Sequence, residues 1–174
     1  GAVDSYRQAI KIKPDYAEFY DNLGMVLLDK GDFGAALRNY KTLLELSPDY
    51  SEAHNNMGNT LRALGYFNEA LNSYKKAIKI KPNDALVYNS MGITFSHQCE
   101  RRLAIDSFKR AITIRPDFPL AKFNLGVELL KDQNFVSGFQ RLESRWDLKQ
   151  NNMPMFGTYL VTSKPAWSGE VGQT

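Results

Sequence analysis

Four prolines, Pro14, Pro48, Pro82 and Pro116, stand 34 residues apart, each at the end of an apolar stretch: "IKIKPDY", "LLELSPDY", "AIKIKPND" and "AITIRPDF". The same step carries Gly24 to Gly58, Gly92 and Gly126, and Ala2 to Ala36, Ala70 and Ala104. Proline lacks the backbone donor a helix interior needs, whereas glycine and alanine let two backbones approach closely. A period held at both kinds of position means one supersecondary unit, repeated and stacked. A unit this short cannot bury its apolar face alone.

The unit reads as a helical hairpin. In "AEFYDNLGMVLLDKGDFGAALRNYKTLLELSPDY", residues 17–50, Tyr20, Leu23 and Leu27 recur at helical spacing. Gly31 supplies the left-handed residue that ends a first helix. A second periodic stretch then sets Ala36, Leu37, Tyr40, Leu43, Leu44 and Leu46 on an inner face, and Pro48 closes it. Two such helices joined by a short turn pack antiparallel. Gly24 and Ala36 allow close approach, with Tyr20, Phe33 and Tyr40 filling the space around them. The Asp of each Pro-Asp turn is expected to cap the following helix.

These residues resemble the tetratricopeptide repeat: Tyr20, Leu23, Gly24, Leu27, Ala36, Tyr40, Leu43 and Pro48 in one unit, then Met57, Gly58, Leu61, Ala70, Tyr74, Ala77 and Pro82. Tyr88, Met91, Gly92, Phe95, Ala104, Phe108, Ala111 and Pro116 repeat the pattern. The resemblance implies an all-α fold, a right-handed superhelical solenoid of antiparallel helix pairs, over residues 1–150. Its parts are a half repeat at 1–16, repeats at 17–50, 51–84 and 85–118, and a degenerate repeat at 119–150. In the last, Gly138, Leu142 and Arg145 replace the usual Ala, aromatic and Ala. Tyr6, Ala9 and Ile10 of the half repeat call for a partner helix, so the chain is expected to have been cut from a longer array or to meet another molecule there. Residues 151–174 are expected to form an irregular tail or linker.

The resemblance also implies that the first helices line a concave groove. At successive repeats that groove presents Asp21, Asn55, Asn89 and Phe123, then Asn22, Asn56, Ser90 and Asn124, then Met25 and Asn59, and at its edge His97 and Lys131. Asparagine is a mediocre helix residue, so its recurrence needs a reason. Either the amides bond neighbouring helices and set the stacking, or they grip the backbone of an extended peptide. In the second reading Asn22, Asn56 and Asn124 resemble the asparagine ladder of O-linked N-acetylglucosamine transferase, which Ser90 interrupts. These twelve residues are the candidate peptide-binding site.

Other chemistry finds little support. The 22 basic and 19 acidic residues are scattered along the chain, a net +3 with no basic stripe for nucleic acid. Apolar runs such as Met25 to Leu28 are far below the ~20 residues that span a bilayer. Residues 1–16 lack a signal-peptide core. The single Cys99 precludes an intrachain disulfide, and a reducing, cytoplasmic setting is the default expectation. His97 and Cys99 are two apart and do not share a helix face, His54 is in another repeat, and no set for metal, cofactor or catalysis emerges. The chain is expected to bind a protein or peptide rather than to be an enzyme. The alternative is a scaffold that forms homo-oligomers through its repeat ends or tail.

The end of the chain adds a second resemblance. Arg145 and Trp146 in "SRWDLK", followed by Pro165, Trp167, Gly169 and Glu170 in "KPAWSGE", resemble the junction at which such arrays enter a two-Rossmann glycosyltransferase domain. That implies an array serving as the arm of a larger transferase.

Overall fold

The computed structural model describes residues 1–131. Eight α-helices follow one another in this span: α1 (Ala2–Ile12), α2 (Ala17–Asp29), α3 (Phe33–Leu46), α4 (Ser51–Ala63), α5 (Phe67–Ile80), α6 (Ala85–His97), α7 (Arg101–Ile114) and α8 (Pro119–Lys131). No strand occurs among the described residues. α2 pairs with α3, α4 with α5 and α6 with α7, α1 is the lone second helix, and α8 opens the fourth unit. The remainder of the degenerate repeat and the tail expected at 151–174 lie outside the described residues, as does the transferase-like junction.

Each hairpin is closed by a glycine–aromatic contact. A Cβ placed on Gly24, Gly58 or Gly92 would come within 2.6, 2.4 or 2.5 Å of the ring of Tyr40, Tyr74 or Phe108 respectively. These three rings are among the largest fully buried side chains. The first helix must therefore be bare at that point for the ring of the second to lie against its backbone. Ala36, Ala70 and Ala104 are equally inaccessible and keep the two axes close. Leu46, in contrast to its assignment to the inner face, is 40% exposed, because it falls on the last turn of α3 beyond the reach of α2.

The turns between the paired helices also repeat. Gly31 and Gly65 have φ of +76° and +83°, and Cys99, one repeat further on, has φ of 61°. The left-handed conformation is thus a demand of the hairpin, met in the third unit by a residue that bears a Cβ. The turns after proline differ from expectation. Asp15 and Asp49 sit inside the turn, and the helices start one residue later, with Tyr16 and Tyr50 as N-caps that make no side-chain capping bond. Only where the turn reads Pro-Asn-Asp does an aspartate reach the capping position: Asp84 Oδ1 accepts from the backbone N–H groups of Leu86 and Val87.

The stacking of the units gives the array two unlike surfaces. Successive first helices touch, α2 with α4, α4 with α6 and α6 with α8, whereas successive second helices make no comparable contact. The first helices therefore line the inner, concave side and the second helices splay outward. Charges scattered in sequence separate accordingly. The outer helices α1, α3, α5 and α7 carry eleven lysines and arginines against four carboxylates, a net +7; the inner helices α2, α4, α6 and α8 carry three against five, a net −2. A basic face that is invisible along the chain is thus assembled by folding, with Arg7, Lys41, Lys75 and Lys109 exposed at equivalent positions on successive helices.

Candidate functional site

The inner face places the expected groove residues in ordered rows, and their depths differ. Asp21 and Asn89 are buried, Asn55 and Phe123 half-buried. In the neighbouring row Asn22, Asn56 and Asn124 are half-buried while Ser90 is buried. Met25 is exposed beside a half-buried Asn59, and at the groove edge His97 and Lys131 are exposed.

Hydrogen bonds show that much of this polar set links one repeat to the next. Asn56 Nδ2 donates to Asp21 Oδ1 at 3.3 Å, and Asn124 Nδ2 donates to Asn89 Oδ1 at 3.0 Å, both across 35 positions. The same step should bring residue 90 to Asn55. Serine stands there, and Asn55 Oδ1 is buried without a partner. A hydroxymethyl group is shorter than a carboxamide, so the rung is left open where the ladder is interrupted. Asp21 also accepts from the Tyr50 hydroxyl at 3.0 Å. Burial, followed by that bond to Asp21, pushes the Tyr50 phenol up to about 12, because ionising it would set two anions side by side.

Asn59 has a different duty: its Oδ1 accepts from the Tyr74 hydroxyl at 2.9 Å. In the first unit Met25 takes the place of Asn59, and the buried Tyr40 hydroxyl has no partner. In the third, Ile93 faces Phe108, which has no hydroxyl to satisfy. The groove residue and the core ring are thus matched in the second and third units, and the first unit breaks the match.

At the far edge of the groove Arg62, His97 and Lys131 gather. His97 stacks on Phe67, ring centroids 5.6 Å apart and planes inclined by 13°. Burial, then the positive charges of Arg62 and Lys131, depress the His97 imidazole below its ordinary value. Arg62 Nε is buried and has no partner, whereas Lys131 Nζ lies 2.7 Å from Oε1 of the buried Glu128, which also accepts from Ser96. Sequence reasoning did not include Tyr50, Tyr74 or Phe67 in the site. The first two bond acceptors 29 and 15 positions away, separations that the 34-residue step does not mark. The Phe67–His97 stack joins α5 to α6, and no sequence period marks it.

Among the described residues no group of three or more His, Cys, Asp and Glu could hold a metal, and no helix is long and apolar enough to cross a membrane. Cys99 is exposed.

Comparison with known structures places the architecture. MamA superposes with a TM-score of 0.74 at 20% identity over 87% of this chain and 88% of that one. The thermophilic TPR protein TTC0263 of Thermus thermophilus gives 0.75 at 22% identity, covering 86% and 82%. YrrB, described as a TPR protein with an unusual peptide-binding site, gives 0.65 at 19% identity, covering 86% and 77%. At these identities the likeness is one of fold, the right-handed superhelical solenoid. No curated protein matches the chain. The family model for the TPR repeat matches residues 1–31, 24–65 and 58–98, more than half of the sequence. With the glycine–aromatic hairpins and the 34-residue step, this shows that the chain belongs to the tetratricopeptide-repeat family.

Proposed function

We propose that the chain is a protein-interaction module whose concave groove receives an extended segment of a partner. The observation that carries this reading is the groove itself, an inner face of four helices on which exposed Met25 and Leu86 alternate with half-buried amides. An extended strand has unpaired backbone donors and acceptors, which amides can meet without regard to its side chains. In Asn56 and Asn124 the Nδ2 group serves the preceding repeat, and the amide oxygen has no partner among the described residues. These rungs hold the solenoid with one atom and offer an acceptor with the other, so the two readings of the asparagines are compatible.

The test uses Ala63, which is exposed at the end of α4 in the middle of the edge row. Peptides selected from a random display library against the full chain should lose at least about ten-fold in affinity in Ala63→Trp. The melting temperature and binding by the outer-face variant Lys75→Gln should stay unchanged. Peptides that bind Ala63→Trp as well as the parent would sink the groove reading.

The finer reading, an array that serves as the arm of a glycosyltransferase, rests on the sequence at Arg145, Trp146, Pro165, Trp167, Gly169 and Glu170 alone. It is tested by reading the parent gene beyond Thr174: a Gly-rich two-Rossmann domain supports it and any other continuation refutes it.

A further inference from the structure

Three rows of the inner face change character in the same direction. From α2 to α8 they run Glu18, Glu52, Leu86, Leu120; Asp21, Asn55, Asn89, Phe123; and Asp29, Ala63, His97, Lys131, whereas the Asn22, Asn56, Ser90, Asn124 and Met25, Asn59, Ile93, Val127 rows stay uncharged. The carboxylates lie at the α2 end, where α2 carries three acidic residues and no basic one. Toward α8 they give way to apolar side chains and to the Arg62, His97 and Lys131 group. Lys131 is paired with the buried Glu128 and Glu52 with Lys81, yet one charge at each end is left over. Asp29 has no ion-pair partner among the described residues, and Arg62 retains a buried guanidinium Nε with no acceptor. The Phe67 ring fixes the His97 imidazole by stacking, and the positive charge of Arg62 is felt there.

Resting on the groove reading above, we propose that the occupant is a bipolar extended peptide, with a basic side chain over Asp29 and an acidic side chain between Arg62 and His97. The polarity fixes a spacing. Asp29 and His97 are two helices apart, at about 10 Å per packed helix, hence about 20 Å. An extended chain advances about 3.3 Å per residue, so the two charges are about six residues apart. A purely acidic peptide is a poor candidate: the outer face, at net +7, attracts it more strongly than the inner face, at net −2. Matching charges at both ends of the groove selects the inner surface and one strand direction, a matter of specificity more than of raw affinity.

The experiment is fluorescence anisotropy on the full chain with three fluorescein-labelled peptides of one composition, otherwise Ala and Ser. One has Lys followed by Glu six positions later, one has the reverse order, and one has Lys and Glu adjacent. One of the two spaced peptides should bind about five-fold more tightly than the adjacent isomer at low ionic strength. Asp29→Asn and Arg62→Gln should each reduce that advantage to about two-fold or less, and Lys75→Gln with Lys109→Gln should leave it intact. Equal affinity for all three, lost in Ala63→Trp, refutes the charge pattern and leaves the groove reading standing. An advantage abolished by the lysine changes instead puts the site on the outer face and overturns the proposal. So does failure of both spaced peptides to bind while display-selected peptides still do.

Discussion

Replacing Gly58 by alanine tests the contact on which each hairpin is built. A Cβ on Gly58 would meet Tyr74 at 2.4 Å (Cε1), 2.7 Å (Cδ1) and 2.9 Å (Cζ), whereas ordinary contact begins near 3.4 Å. The ring must retreat by about 1 Å or α4 and α5 must part. Tyr74 is fully buried and its hydroxyl is held by Asn59, so retreat also strains that bond. Overpacking of this kind costs about 1–3 kcal/mol and a weakened hydrogen bond up to about 1 kcal/mol; alanine returns about 1 kcal/mol in helix propensity. The net expectation is a loss of about 2 kcal/mol, read by urea unfolding followed at 222 nm. Gly34→Ala is the control. It too lies within a helix, yet its Cβ would meet only Arg38 Nη1 at 3.8 Å, so the propensity gain should appear as stabilisation of up to about 1 kcal/mol. In a Tyr74→Ala background, where the ring is gone, Gly58→Ala should change sign and stabilise. If Gly58→Ala stabilises the parent as Gly34→Ala does, the argument that the ring requires a bare backbone is wrong.

Three further outcomes follow from single positions. Cys99→Gly should raise stability by about 1 kcal/mol in the same urea assay, because a Cβ at φ 61° is strained where the two preceding units place glycine. Ser90→Asn should supply the missing rung to Asn55 Oδ1 and stabilise by about 1 kcal/mol, with no gain if Asn55→Ala is introduced first. The Tyr50 phenol, ordinarily 10.0, is raised to about 12 in the folded chain, so its contribution is complete below about pH 10 and is lost as pH climbs through about 12. Tyr50→Phe should therefore make the fall of stability between those values shallower in unfolding curves taken along the pH series; an unaltered slope would mean that neither burial nor the bond to Asp21 raises this phenol in solution.

The hairpins and the small-residue contacts of the described residues were legible in the chain because they depend on neighbours along it. Proline interrupts a helix beyond its first turn, and a glycine recurring at every 34 residues can answer only to something that recurs with it, here the ring of Tyr40, Tyr74 or Phe108. The candidate site was legible in part. The rows of the groove could be listed from the repeat register, but their depth could not. Asp21, Asn89 and Ser90 are buried by the neighbouring unit, and the donors that reach Asp21 and Asn89 come from one repeat further along. The aspartate of the Pro-Asp turns illustrates a local miss: Asp15 and Asp49 look like caps, yet they lie in the turn and the helix starts after Tyr16 and Tyr50.

The sequence by itself thus determined the unit, its helical pairing and the family. The stacking of units decided the rest. It separated a charge pattern that is mixed along the chain into a basic outer face and a weakly acidic inner one, because alternate helices face opposite sides of the solenoid. It also brought Arg62 of α4, Phe67 of α5, His97 of α6 and Lys131 of α8 to one edge of the groove. No local spacing encodes that gathering: it requires three successive repeats to lie at the distance and rotation that packing of their buried faces imposes.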